Sequence, residues 1–159
     1  SGDAEGGGLW PQLLDRVGLA VEVRTPTELA QRVQVVRRRD AFERDPAAFT
    51  AEWHAEDERV RKRIVAARKH LNEVQVSDAA LERAAQLCMA LGTDGLRGEL
   101  TLMRAARALA ALDGDAAVGD AQLKRVARPA LRHRLRRDPL DDTDAGARVD
   151  RAVQDVFAA

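Results

Sequence analysis

Apolar and polar residues along this chain follow two periods, and the helical one dominates. Leu19-Ala20-Val21-Glu22-Val23 alternates apolar and polar at its end and predicts a strand. A lone strand forms no sheet, so it either pairs outside this chain or is not a strand. Thr25-Pro26-Thr27-Glu28 has the order of a capping box, which predicts a helix from Pro26 to about Phe42 burying Leu29, Val33 and Val36. Asp45-Pro46 repeats the cap-then-proline signal. It opens a second helix with Phe49 and Trp53 on one face, continuing through Val60, Ile64, Ala67 and Leu71.

Beyond a connector at Asn72 to Val76, four shorter amphipathic stretches follow. Ser77-Asp78 caps a helix that Gly92 ends. Thr93 or Asp94 caps the next, whose Leu102, Ala105, Ala106, Leu109 and Leu112 make one apolar stripe before Asp113-Gly114. Gly119-Asp120 opens a helix from Ala121 to about Leu135 with a bend expected at Pro129. A last helix from Ala147 to Phe157 buries Val149, Val153, Val156 and Phe157. Before the strand candidate, residues 1–9 read as a glycine-rich loop, and Trp10 to Gly18 as one or two helical turns. The pattern predicts a mainly α chain: a four-helix bundle over 77–158, preceded by a long helical, hairpin-like arm over 26–71.

Composition agrees. Only two Trp, three Phe and no Tyr occur in 159 residues, and such a core is most easily built from closely packed helices. The single Cys excludes an intramolecular disulfide. No stretch approaches the ~20 apolar residues of a membrane span, and no basic-then-apolar leader precedes the first element. A cytoplasmic location is the expectation. Balanced charge, 26 basic against 26 acidic side chains, argues against a dedicated nucleic-acid binder.

Most catalytic constellations are absent. His54, His70 and His133 lie far apart in sequence without metal-ligand spacing, and Cys88 in Leu87-Cys88-Met89 reads as a core thiol. No phosphate-cradling G-x-x-x-x-G-K-[ST] occurs. The basic stretch Lys124 to Arg137 has acidic residues after it and no interleaved aromatics, so a salt-bridged helix surface is favoured over a nucleic-acid contact. Arg37-Arg38-Arg39 reads as a solvated helix end. Two arginines stand apart. Arg16 directly precedes the strand candidate. Arg97 sits in Asp94-Gly95-Leu96-Arg97-Gly98-Glu99, in a first helical turn, where the macrodipole favours anions rather than a cation. A bound phosphate would give that placement a reason, with Gly95 and Gly98 leaving room for it; a solvated surface arginine is the alternative.

The stretches Leu9 to Val23, Arg32 to Asp40, Asp45 to Trp53, Leu87 to Gly114 and Leu131 to Asp141 resemble the ATPase (I) subunit of magnesium chelatase, a family of AAA+ ATPases. The block Asp94-Gly95-Leu96-Arg97-Gly98-Glu99-Leu100-Thr101-Leu102 is its most specific part. The resemblance implies the C-terminal portion of such a subunit, with its nucleotide-binding motifs upstream. Residues 1–24 would be the edge of the AAA+ core, with Leu19 to Val23 its last strand. Residues 25–76 would be a helical insertion and 77–159 the helical lid. Arg16 matches the arginine finger, which acts in trans on a neighbour's nucleotide, and Asp15 would support it or the subunit interface. Arg97 matches the sensor-2 arginine, acting on its own subunit's nucleotide. Asp3 stands where the family has its sensor-1 Asn, and Trp10 where it has an Arg. An ionised Asp cannot donate the hydrogen bond that Asn gives.

The intact parent implied by the resemblance uses ATP and Mg, while this chain alone is expected to bind no cofactor and to show no ATPase activity. The parent would form a homo-oligomeric, hexameric ring, work with a D-type chelatase subunit, and drive Mg²⁺ insertion into protoporphyrin IX. Two alternatives stay open: a related cobalt-chelatase-like or MoxR-type ATPase, and a helical nucleic-acid or protein interaction module.

Overall fold

A computed structural model describes residues 16–93, 95–135 and 144–158. Among them are six α-helices: α1 (Leu29–Arg44), α2 (Pro46–His70), α3 (Asp78–Leu91), α4 (Arg97–Asp113), α5 (Asp120–Leu131) and α6 (Ala145–Ala158), with a 3-10 turn at Arg132–Arg134. The chain divides into two compact units. One gathers the described residues up to Val21 with those from Ala67 onward; the other is Glu22–Ala66.

In the Glu22–Ala66 unit, the capping box does not form. Thr25 to Thr27 are non-helical, and α1 begins at Leu29 with Glu28 as an extended N-cap that makes no side-chain cap bond. The residue before a proline is pushed toward extended backbone, and here that conformation persists to Glu28. Asp45 behaves as its sequence signal predicts. Its N–H donates to the Ala41 carbonyl to close α1, and its Oδ1 accepts from the Ala48 N–H at 2.9 Å to open α2. Neither α1 nor α2 carries a buried residue. The expected burial of Leu29, Val33 and Val36 is therefore overturned: they are 77%, 39% and 68% exposed. Arginines crowd the same turns, and this unit holds no third element to cover an apolar stripe. Near the Asp45 junction Phe42 meets Phe49 edge-on, Phe49 lies beside Trp53, and Arg38 stacks over the Trp53 ring.

The other unit holds the hydrophobic core. Leu87, Cys88, Leu102, Leu123, Leu131 and Val149 are its largest fully buried side chains, drawn from α3, α4, α5 and α6. Ala106 and Ala110 of α4, with Ala127 and Ala130 of α5, are also almost wholly buried. Their small side chains let these two helices pack closely. Ser77 Oγ accepts from the Ala80 N–H to cap α3, and Gly92 ends it in the left-handed region at φ +63°. Gly114 ends α4 in the same way. At the start of α5 the Gly119 N–H donates to Gln122 Oε1, while Gln122 Nε2 donates to Asp115. The connector after α2 pairs with the loop before α5 through a parallel bridge, Gln75 with Ala117.

No strand forms among the described residues. Leu19 to Val23 is irregular, with Val21 and Val23 largely exposed. No neighbouring strand offers it a ladder. Instead the Ala20 N–H donates to the Pro129 carbonyl at 2.8 Å. The helix containing Pro129 ends at Leu131 rather than near Leu135, and the chain tightens into the 3-10 turn. Proline has no N–H to continue the ladder, and the last carbonyls of a helix accept from elsewhere.

Candidate functional site

The path from α3 into α4 sets the position of Arg97. After Gly92, the Thr93 N–H and Oγ1–H both donate to the Cys88 carbonyl. Thr93 thus finishes α3 instead of capping α4, whose N-cap is Leu96 without a side-chain bond; Asp94 lies outside the described residues. Gly95 has φ +65° and turns the chain back. Gly98 then sits so close to α3 that a Cβ there would lie 3.2 Å from Thr93 Oγ1 and 3.3 Å from Cys88 Sγ. Contact with the body of the bundle, rather than room for a ligand, explains this glycine. It presses the first turn of α4 onto the last turn of α3 and leaves Arg97, the first residue of α4, exposed.

Arg97 faces an open cleft of about 590 Å³ lined by Arg16, Gly18, Leu19, Arg97, Thr101, Arg104, Ala105 and Arg134. Both arginines singled out in the sequence thus reach one cleft, though 81 positions apart. Arg104 and Thr101 were missed. Their signal was present: Arg97, Thr101 and Arg104 lie at i, i+4 and i+7 on α4, a polar row beside the apolar stripe. Arg134 was visible only as part of a basic stretch.

Among the described residues lining the cleft, Arg16, Arg97, Arg104 and Arg134 carry guanidinium groups and none carries a carboxylate. The arrangement suits a multiply charged anion with planar oxygen faces, to which a guanidinium offers a fork of donors. Arg134 is held from several sides: Nε donates to the Ala130 carbonyl, and Nη2 donates to the Val17 carbonyl at 2.8 Å and to Thr101 Oγ1 at 3.2 Å. His133 Nε2 also donates to the Val17 carbonyl, at 2.9 Å. A carbonyl only accepts, so this nitrogen carries the proton.

The remaining candidates behave structurally. Arg125 pairs with Asp113, and Arg128 with Asp144 and Asp150. Lys124 lies over the Phe157 ring. These contacts fit the salt-bridged reading at Arg125 and Arg128, while Arg134 lines the cleft instead; Arg136 and Arg137 lie outside the described residues, as do Asp3, Trp10 and Asp15. Cys88 is buried, and burial, reinforced by the nearby Glu99 charge, raises its thiol pKa to about 11. It is the core thiol expected. Among the described residues no group of His, Cys, Asp and Glu could hold a metal ion, and no helix is long and apolar enough to cross a membrane.

The AAA lid domain family matches residues 81–156, which run from α3 to α6. Among curated proteins the chain is 60% identical to the magnesium-chelatase 38 kDa subunit of Acidiphilium rubrum, over 99% of the chain and 46% of that protein. It is 56% identical to the 38 kDa subunit of Rhodobacter capsulatus, over 99% of the chain and 45% of that protein. It is 42% identical to the magnesium-chelatase subunit ChlI of Cyanophora paradoxa, over 99% of the chain and 46% of that protein. The chain thus spans a little under half the length of these relatives. The match takes in the cleft-forming segments as well as the arm: over nearly its whole length the chain is similar to the magnesium-chelatase 38 kDa and ChlI subunits, and residues 81–156 match the AAA lid domain.

Proposed function

We propose that this chain is the C-terminal, phosphate-sensing part of a magnesium-chelatase motor subunit. The observation that carries this reading is the arginine-lined cleft, where Arg97 at the start of a lid helix and Arg16 line the same space with Arg104 and Arg134. In the parent, residues 1–24 complete the ATP-binding core, 25–76 form the helical insertion and 77–159 form the lid. Arg97 contacts the phosphates of its own subunit's nucleotide. Arg16 serves a neighbouring subunit in a homo-oligomeric, hexameric ring. A permanently charged, planar guanidinium suits the charge that spreads over a transferring γ-phosphoryl group. Magnesium bound with the nucleotide neutralises phosphate charge, and its protein ligands belong to the upstream core. Hydrolysis drives Mg²⁺ insertion into protoporphyrin IX through a D-type partner, in the cytoplasm. The family relationship favours this client over cobalt-chelatase-like, MoxR-type or nucleic-acid roles.

One observation favours a second arrangement. Arg16 and Arg97 share a cleft, so both could act on the same nucleotide. Mixed rings separate the two. If Arg16 acts in trans, R16A subunits that retain their own site lower phosphate release by unaltered neighbours; if it acts in cis, the neighbours are unaffected. Either way, R97A and R16A in the intact subunit lower ATP turnover by roughly 100- to 1000-fold or more, the range for loss of one transition-state charge contact. The isolated chain hydrolyses no ATP. Full turnover by both variants, or hydrolysis by the chain itself, would overturn the reading.

A further inference from the structure

The segment carrying Arg16 and the helix carrying Arg97 meet at one atom. Arg134 Nη2 donates to the carbonyl of Val17, the residue after Arg16, and to Thr101 Oγ1, one turn along α4 from Arg97. Its Nε donates to the Ala130 carbonyl in the last turn of α5, which fixes the plane of the guanidinium. His133 donates to the same Val17 carbonyl, and the Ala20 N–H reaches the Pro129 carbonyl. The stretch Val17 to Ala20 has no regular structure of its own. Its recorded hydrogen bonds therefore run to the end of α5 and the 3-10 turn after it. One turn of helix is about 5.4 Å, so Arg134 is joined to Arg97 through Thr101 and one helical turn, and to Arg16 through the next residue's carbonyl.

We infer that Arg134 is a positioning residue that holds Arg16 in register with Arg97, so that movement of the lid helix at one arginine is passed to the other. This rests on the reading of Arg16 and Arg97 given above. Arg134 itself acts through the Val17 peptide and the Thr101 hydroxyl. The device needs a planar fork with donors in several directions. Lysine retains the charge but offers its donors from a single point and cannot span Ala130, Val17 and Thr101 together.

The test is a double-mutant cycle in the intact, assembled subunit, using Mg-ATP and single-turnover phosphate release. R134K should lower kcat about tenfold or more while KM for ATP changes by less than about threefold, the pattern of a misplaced group rather than a lost binding contact. In an R16A background the same substitution should add less than a twofold loss, because the group it positions is already gone. T101V, which removes only one end of the tie, should give a smaller kcat loss in the same direction. Thermal unfolding of R134K within a few degrees of the parent keeps a folding defect apart from a positioning defect. An unchanged kcat in R134K, or a loss that adds in full to that of R16A, would overturn the inference while leaving the cleft reading intact. If R16A and R97A themselves leave kcat unchanged, the cleft reading fails and takes the positioning role with it.

Discussion

Cys88 shows how one residue carries both packing and chemistry. Its thiol lies in the core beside Gly98 and Thr93, and its pKa is raised to about 11, first by burial and then by Glu99. The folded state therefore holds the proton to higher pH than the unfolded chain does. Stability from this group is complete below the unfolded thiol pKa of ~8.5 and is lost as pH rises through the folded value near 11. Unfolding by urea at pH 8 and at pH 10.5 should show this as a steeper loss for the parent chain than for C88A. Equal slopes would mean that the thiol ionises freely when folded. Thiol-directed alkylation at neutral pH should likewise be slow until the chain unfolds. The four cleft arginines make the complementary case, since their chemistry depends on where the backbone places them.

At the scale of elements, two glycines on helices make opposite predictions. At Gly98 an added methyl meets Cys88 Sγ and Thr93 Oγ1, both short side chains fixed by packing and hydrogen bonding. G98A should cost about 1–3 kcal/mol, as overpacking does, and should displace Arg97 with its helix. At Gly146 the methyl would meet the far end of Arg128, within 2.7 Å of its guanidinium atoms. That side chain can swing away, giving up half-exposed pairs with Asp144 and Asp150 worth about 0–1 kcal/mol. Alanine is also the better helix former by up to ~1 kcal/mol. G146A should therefore leave the melting temperature nearly unchanged while G98A lowers it. A melt of each variant followed by circular dichroism decides between these outcomes, and an equal drop would show that Arg128 is not free to move.

At the scale of the whole molecule, stability is uneven. Among the described residues, every buried hydrophobic residue from Val74 to Ala152 belongs to the compact unit that runs from Ala67 onward, whereas α1 and α2 contribute none. The arm's ion pairs, such as Arg39 with Glu43 and Arg61 with Glu58, are exposed. Hydrogen exchange should accordingly be fastest in Glu22–Ala66 and slowest at Leu102, Leu123 and Leu131. A piece spanning 67–159 should keep a cooperative thermal transition. Loss of that transition would mean that the arm contributes to the core after all.

The bundle was legible in the sequence because each of its helices has an apolar stripe of the right period and most have an end signal. Asp45, Ser77, Gly92, Gly114 and Gly119 all stand at the helix ends their chemistry predicts. Such signals are local, acting over four or five residues of backbone. The reading failed where a partner was needed. Leu19 to Val23 has a strand's alternation but no ladder, and Leu29, Val33 and Val36 have a buried face's spacing but nothing to cover them. The cleft divides in the same way. Arg16 and Arg97 were identifiable from their local motifs, and the sequence by itself determined their charge, their neighbours and the family they point to. Only the tertiary structure decided that they share a cleft with Arg104 and Arg134 and that one guanidinium ties their supports together. Those contacts span dozens of residues, and it is core packing, not local sequence pattern, that brings such distant residues to one place.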